Sequence, residues 1–330
     1  MTQAEGVVVD IPADPLRRDD PGSGDDNTAA GMGWLASTEQ HGAGASRTTK
    51  AARLQGVVFG RWRPGLLRLV APMLIDLWTN TVGRCREAPA IVGVRPSDAS
   101  VTFGELNKSL GRLPRAEAPV IGRQGDPVEF LLSTLRAWRD RVPLIPIEST
   151  EPDPRLLENL PAGTALVKLT SGSSGAPKGV LFSEAQIAAD AAAIVRTMGL
   201  SAQRPNVAVI SLAHSYGFSN LVTPLLLHGS PLVPLDSPFP DLLRRVVETH
   251  DGDGLTIPAV PAMWRAWHSA GVLRAGVIRL AISAGAPLPL ELEKAVFDAA
   301  GLKIHNFYGA SECGGIAFDR SEAPRSDGAV

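Results

Sequence analysis

The feature that most constrains this chain of 330 residues is the segment 166–179, LVKLTSGSSGAPKG, a mostly apolar strand followed by a loop of small polar residues. Because glycine tolerates positive φ and close approach, Gly172, Gly175 and Gly179 let backbone N–H groups turn inward. Serine and threonine hydroxyls add donors, and Lys178 brings a mobile ammonium group. Concave backbone donors together with one lysine predict a phosphate-binding loop.

This loop has two alternative interpretations. A solvent-exposed linker has the same Ser/Gly composition, but mostly apolar residues at 166–169 and 180–182 favour a loop held between buried elements. A P-loop of the pattern G-x-x-x-x-G-K-[ST] is a distant alternative, because Pro177 replaces its second glycine and Gly179 replaces its final hydroxyl residue. That hydroxyl holds Mg²⁺ in P-loop enzymes, so any magnesium ligand is expected elsewhere.

Composition bounds the class of protein. A hydrophobic share of 44% and a charged share of 20% are typical of a globular protein with a sizeable core. The formal net charge of −2 gives no reason to expect nucleic acid or an anionic membrane as a partner. Two cysteines form no disulfide framework or metal site, and the N-terminus has no secretory signal, so we expect a cytoplasmic protein. Proline and glycine interrupt the apolar stretch 207–235, which predicts no integral membrane segment.

The order of elements predicts an α/β fold with parallel-rich sheets flanked by helices. Residues 1–55 are rich in Gly, Ser, Asp and Ala and are expected to form a disordered tail, whereas residues 56–330 are expected to form one large domain. Strand, helix and strand follow one another between residues 120 and 147, as in parallel α/β construction. Asp126 and Ser183 are predicted to cap the helices that follow them.

Two later motifs each end a predicted strand, where open α/β sheets bind ligands. SAGAP, residues 283–287, has small residues that let a flat base approach the backbone, although an ordinary strand-to-helix turn has the same composition. FYGASE, residues 307–312, offers an aromatic ring in Tyr308, a hydroxyl in Ser311 and a carboxylate in Glu312. A carboxylate oxygen is a ligand that Mg²⁺ uses together with substrate phosphates.

The joint order of these motifs resembles a known family. TSGSSGAPKG, HSYG at 214–217, SAGAP and NFYGASE follow one another as the core motifs do in the AMP-forming adenylating enzymes, which include acyl-CoA synthetases, luciferases and the adenylation domains of peptide synthetases. The resemblance covers about residues 102–319. It implies the large N-terminal domain of such an enzyme.

The resemblance also implies a role for each matching position. The loop residues and Lys178 would hold the β- and γ-phosphates of ATP, Tyr308 would stack on adenine, and Glu312 would hold Mg²⁺. His214 lies where the family lines its acyl pocket, although a satisfied core histidine is an equally good interpretation. The catalytic set is Lys178, His214, Ser311 and Glu312, and the nucleotide-binding set is Thr170, Ser171, Gly172, Ser173, Ser174, Gly175, Lys178, Ser283, Gly285, Ala286, Pro287, Asn306, Phe307, Tyr308, Gly309 and Ser311.

The activity implied is attack of a carboxylate oxygen on the α-phosphorus of ATP, which gives an acyl-adenylate and pyrophosphate. The acid would be fatty or aryl, and its acyl group would pass to CoA or to the phosphopantetheine of an acyl carrier protein. Family members carry a ribose-binding aspartate in a Gly-Asp motif and a C-terminal domain with a catalytic lysine beyond these motifs. The sequence shows neither after Glu312, so we expect an incomplete large domain. A non-catalytic module that binds ATP or an acyl group is the alternative.

Overall fold

The computed structural model describes residues 7–9, 73–94, 98–149, 152, 157, 160–170, 178–250 and 252–326, with backbone alone at 7–9 and 178. All of them belong to one unit, formed by residues 1–12 and 71–330. Within it, helices pack against two β-sheets. This arrangement confirms the predicted α/β class.

The elements alternate along the chain as the sequence predicts. The strands are β1 Val7–Val9, β2 Pro89–Ile91, β3 Val101–Thr102, β4 Val120–Arg123, β5 Leu144–Ile147, β6 Leu166–Thr170, β7 Lys178–Phe182, β8 Asn206–Ala208, β9 Leu232–Pro234, β10 Leu255–Ala259, β11 Ile278–Ser283, β12 Ile304–Ala310 and β13 Gly314–Phe318. The helices are α1 Leu74–Cys85, α2 Phe103–Arg112, α3 Pro127–Asp140, α4 Glu184–Met198, α5 Ser215–Gly217, α6 Pro240–Thr249, α7 Pro261–Ser269 and α8 Leu290–Ala300. Two π-helical segments, Phe218–Val222 and Pro224–His228, continue α5.

The first sheet has the strand order β1-β7-β6-β5-β4. β4, β5 and β6 are parallel, and β7 returns antiparallel to β6 with Lys178 opposite Thr170. The predicted phosphate-binding loop therefore connects two paired strands, although residues 171–177 themselves lie outside the described residues. β1, which lies in the segment expected to be a disordered tail, pairs antiparallel with β7. For the remainder of residues 1–55, which lies outside the described residues, the tail stays a prediction.

The second sheet has the order β13-β12-β11-β10-β8-β9-β2-β3. Its inner strands are parallel, and only the edge pairs β12–β13 and β2–β3 are antiparallel. Parallel strands end at the same edge of a sheet, so the segments that follow β8, β11 and β12 meet there. The segments after β8 and β11 carry the HSYG and SAGAP motifs, and FYGASE covers the end of β12 and the two residues that follow it. The hairpin strand β13 was not predicted, because its Gly-Gly start weakens any strand pattern.

Helix starts follow the local capping chemistry. Asp126 Oδ1 accepts a hydrogen bond of 2.9 Å from Glu129 N at the start of α3, with Pro127 in the first turn. Ser183 and Gln186 form a reciprocal capping box at α4, and Thr102 and Glu105 form another at α2. Both predicted caps, Asp126 and Ser183, are confirmed. Each satisfies backbone N–H groups that a helix leaves unpaired.

Apolar residues fill the space between helices and sheets. Trp78, Phe103 and Trp138 belong to a cluster that packs α1, α2 and α3 against the π-helical segments. Trp264 and Trp267 belong to a second cluster around β10 and β11. Among the described residues, no helix combines the length and the apolarity needed to cross a membrane.

A buried ionic cluster joins α8 to the last described residues. Glu293, with a fully buried side chain, accepts hydrogen bonds from Lys303 Nζ and, at 2.7 Å, from Arg325 Nε. Lys303 Nζ also contacts Asp319 Oδ2 at 2.6 Å. Burial opposes ionisation of Glu293, but these hydrogen bonds outweigh it and lower the pKa of the carboxyl. Removing Glu293 would therefore leave two cations without their shared partner.

We expect Glu293→Ala to lower the free energy of unfolding by about 3–5 kcal/mol, the usual cost of breaking a buried ion pair from one side. The matched control is Glu291→Ala, an exposed carboxylate in the same turn of α8, which should cost less than about 1 kcal/mol. Urea denaturation followed by circular dichroism measures both. Equal costs in the two variants would contradict this account of the cluster.

The same cluster predicts an acid dependence of stability. In the folded state the pKa values of Glu293 and Asp319 lie below their ordinary values of 4.5 and 3.8. Their contribution is present above those ordinary values and is lost as the pH falls through the lower, folded-state values. The difference in unfolding free energy between the wild type and Glu293→Gln should therefore shrink between pH 6 and pH 3. Urea titrations at intermediate pH values test this, and a constant difference would exclude it.

Candidate functional site

A cleft of about 90 Å³ opens where the second sheet presents the ends of its parallel strands. Residues from several separate segments line it: Lys168, His214, Ser215, Tyr216, Ser219, Asn220, Ala284, Gly285, Phe307, Gly309, Ala310, Ser311, Gly314 and Gly315. Of the predicted site residues, the cleft contains His214, Gly285, Phe307, Gly309 and Ser311. The HSYG, SAGAP and FYGASE motifs thus share one cavity.

A direct contact joins the HSYG and FYGASE motifs. Ser215 Oγ donates a 2.9 Å hydrogen bond to Ser311 Oγ across the cleft. His214 caps the start of α5, where its Nδ1 accepts from Tyr216 N at 3.3 Å, and its side chain is exposed. The interpretation of His214 as a satisfied core histidine is therefore wrong. Its ring edge is available to a molecule in the cleft.

Gln124, at the end of the first sheet, holds the loop before His214. Its side-chain Oε1 accepts hydrogen bonds from Leu212 N at 2.8 Å and from Ala213 N at 3.3 Å. One amide oxygen thereby satisfies consecutive backbone donors in a segment that belongs to neither a helix nor a strand. The sequence offered no signal for this role, because Gln124 lies far from the loop in the chain.

Lys168 is the main site residue that the sequence motifs missed. It lies on β6, only 5% exposed, and its Nζ donates to Ser219 Oγ at 3.3 Å. Ser219 Oγ in turn donates to Asp190 Oδ2 at 2.8 Å, and Asp190 Oδ1 accepts from Gly315 N at 3.1 Å. This Lys168–Ser219–Asp190 network links both sheets through α4 and the π-helical segment. The signal that the sequence offered for this residue was a lysine within an otherwise mostly apolar strand.

Burial shifts the pKa values of two groups that line the cleft. Desolvation lowers the pKa of Lys168, although the charge of Asp190 partly opposes the shift. Desolvation also raises the pKa of the Tyr216 phenol, so this group stays protonated at neutral pH. The Tyr216 ring lies 6.1 Å from that of Phe307, centroid to centroid, and the pair forms an aromatic wall.

The turn after β11 lies beside the C-terminal half of β12. Ser283 pairs with Asn306 at the last parallel register position of the two strands. Gly285 and Tyr308 each follow that pair by two residues, and Gly285 has a φ of +81°, which favours glycine. Tyr308 is 62% exposed, and Ala286 and Pro287 are exposed as well. A small-residue turn therefore neighbours an exposed aromatic ring just outside the cleft.

The other predicted residues that the structure describes are not part of the cleft lining. Glu312 is exposed and follows Ser311 directly. Thr170 ends β6, and Ser283 Oγ is buried without a hydrogen-bond partner among the described residues. Residues Ser171, Gly172, Ser173, Ser174 and Gly175, together with the side chain of Lys178, lie outside the described residues. Within the described ranges, no group of three or more His, Cys, Asp or Glu side chains is arranged to hold a metal ion.

Comparison with known proteins assigns the family. A family model of AMP-binding enzymes matches residues 136–330, and the chain belongs to that family. The 4-coumarate–CoA ligase of Rhodobacter capsulatus is 35% identical over 196 residues, which cover 58% of this chain and 47% of the relative. A feruloyl-CoA synthase of Amycolatopsis is 26% identical over 251 residues, which cover 70% and 49%.

A solved structure shows the same fold. ATP-bound MatB from Rhodopseudomonas palustris superposes with a TM-score of 0.63 at 15% identity, over 76% of this chain and 63% of that one. The chain thus spans about half the length of the curated relatives it matches. The predicted family resemblance is confirmed.

Close packing at Gly217 yields a prediction for the site. A Cβ at this position would overlap the carbonyl oxygen of Ser211, in the loop that Gln124 holds. We expect Gly217→Ala to lower the unfolding free energy by about 1–3 kcal/mol, because the start of α5 must shift. The control Gly111→Ala, on α2 with no atom near the added methyl, should be stabilising by about 0.5–1 kcal/mol. Thermal unfolding compares them, and a neutral Gly217→Ala would argue against this packing.

Proposed function

We propose that this chain forms the ATP- and acid-binding part of an AMP-forming ligase. In this reaction a carboxylic acid and ATP give an acyl-adenylate and pyrophosphate, and the acyl group is then transferred to the thiol of CoA. The observation that carries the proposal is the convergence of the HSYG, SAGAP and FYGASE motifs on one edge of the second sheet. Family membership and the named ligase relatives support it.

The nucleotide would bind across the turn after β11 and the C-terminal half of β12. The small residues Gly285, Ala286 and Pro287 would contact one side of adenine, and the exposed ring of Tyr308 offers it a stacking surface. The loop between β6 and β7 would hold the terminal phosphates with its backbone N–H groups and Lys178. Gly285 and Tyr308 are both exposed and occupy neighbouring positions, which suits the binding of a flat ligand.

Glu312 is the residue we assign to Mg²⁺. Its exposed carboxylate fits the usual mode in which magnesium takes one or two carboxylates together with substrate phosphates and water. When bound, the ion neutralises charge on the phosphates. Ser311, held by Ser215, would donate to the α-phosphate and keep the electrophilic phosphorus in line with the acid.

The acid would enter the cleft beside His214. We favour an aryl acid over a fatty acid, because the cleft is small, about 90 Å³, and is walled by the aromatic pair Tyr216 and Phe307. The names of the relatives, a 4-coumarate ligase and a feruloyl-CoA synthase, agree with this class. We propose CoA as the acyl acceptor on the same basis, with a carrier-protein phosphopantetheine as the alternative.

Pyrophosphate release dependent on a carboxylic acid tests the proposal. A panel of aryl and fatty acids is supplied with ATP and Mg²⁺, and Lys178→Ala and Glu312→Ala should each reduce release at least about 100-fold, because phosphate charge is left uncompensated. The controls are Lys108→Ala and Glu322→Ala, both exposed and outside the cleft, which should match the wild type. Unchanged release in Lys178→Ala and Glu312→Ala would contradict the assigned roles.

The same panel of acids distinguishes a ligase from the alternative, a non-catalytic binding module. ATP binding by calorimetry without pyrophosphate release from any acid would favour a binding module over a ligase. Absence of both binding and release would reject the proposed site altogether.

A further inference from the structure

The cleft contains two buried polar groups whose hydrogen-bonding capacity is only partly used. Lys168 Nζ has several N–H donors, and Ser219 Oγ accepts a hydrogen bond from one of them. Lys168 Nζ also lies 4.9 Å from the ring centroid of Phe182. Within the described part of the chain, no carboxylate lies within 4 Å of it and no other acceptor is in hydrogen-bond range. A buried donor in this state is costly unless a ligand supplies an acceptor.

Asn220 is the complementary group. Its side chain is 2% exposed and lines the same cleft, yet Oδ1 has no hydrogen-bond partner among the described residues. Nδ2 donates to Tyr216 O at 3.2 Å, and this bond sets the amide orientation. Ser219 directly precedes Asn220 and contacts Lys168, so the unused donor and the unused acceptor line neighbouring parts of one cavity.

We infer that Lys168 and Asn220 together recognise a hydroxyl group on the acyl substrate. Lys168 Nζ would donate to the hydroxyl oxygen, and Asn220 Oδ1 would accept the hydroxyl proton. This inference rests on the proposed function, because it assigns the substrate class of that same cleft. It identifies hydroxy acids, with the hydroxyl remote from the reacting carboxylate, as the preferred acids.

A hydroxyl satisfies both groups, whereas a carboxylate satisfies only one of them and a hydrocarbon satisfies neither. A second carboxylate would accept from Lys168 but would direct a lone pair at Asn220 Oδ1. Rotating the amide to avoid this would direct Oδ1 at the carbonyl of Tyr216 and forfeit the existing bond. A plain hydrocarbon would leave the polar atoms of Lys168 and Asn220 desolvated without partners. Sites that hydrogen-bond a substrate hydroxyl discriminate strongly against analogues that lack it.

Matched pairs of acids test the inference by isothermal titration calorimetry on the full chain. The pairs are 4-hydroxybenzoate with benzoate, 4-hydroxycinnamate with cinnamate, and 10-hydroxydecanoate with decanoate, which place the hydroxyl at different distances. In at least one pair the hydroxy acid should bind about tenfold more tightly or better. The acid without the hydroxyl cannot hydrogen-bond Lys168 and Asn220, which then stay buried without those partners. Equal affinity within every pair would overturn the inference.

Two variants assign the preference to its residues. Lys168→Met and Asn220→Leu should each reduce the preference to about twofold or less, since each removes one of the two hydrogen bonds. The matched control Lys108→Met replaces an exposed lysine on α2 and should keep the wild-type preference. A full preference retained in both cleft variants would overturn the assignment, as would tighter binding of terephthalate than of 4-hydroxybenzoate. Because the two variants alter different elements, a folding defect in one leaves the other informative.

Binding and turnover distinguish this inference from the proposed function. A hydroxyl preference in calorimetry without pyrophosphate release from any acid would support Lys168 and Asn220 as the recognition pair and reject the ligase activity. Pyrophosphate release without any preference within the pairs would support the ligase activity and reject the recognition pair.

Discussion

The parallel arrangement of the inner strands in the second sheet is the constraint on which the site depends. Because β8, β11 and β12 run in the same direction, the segments after them meet at one edge. Motifs separated by about a hundred residues thereby form one cavity, joined by the Ser215–Ser311 hydrogen bond. An antiparallel arrangement of these strands would send alternate segments to opposite edges and separate the motifs.

Polar groups in and around the cleft show how its shape is maintained. The Lys168–Ser219–Asp190 network ties β6 to β13, and Gln124 ties the first sheet to the loop before α5. Each is a long-range contact between elements distant in the chain. A lysine is rarely buried without a paired charge, so its position at the cleft makes Lys168 a candidate functional residue. The π-helical turns beside it agree with the frequent use of such turns at functional sites.

The sequence predicted the elements well where local chemistry decides them. Asp126 and Ser183 were identified as helix caps because their side chains satisfy backbone donors within the same turn. The contribution of Lys168 was missed because it lies on the strand before the TSGSSGAPKG motif, and its partners Ser219 and Asp190 belong to other elements. His214 could be interpreted as either core or cleft, since a single histidine gives no periodic signal, and only its exposure decided between them. The phosphate roles of residues 171–175 and Lys178 stay predictions.

The amino-acid sequence alone determined the α/β class, the family and the motifs, because these depend on local periodicity, capping and the order of short patterns. The tertiary structure decided which of those motifs share a cavity and that Lys168, Ser215 and Asn220 complete it. The reason is physical. Strand pairing brings together residues far apart in the chain, and burial then leaves a lysine or an asparagine with polar atoms whose hydrogen-bonding capacity is not fully used. No pattern of neighbouring residues carries that information.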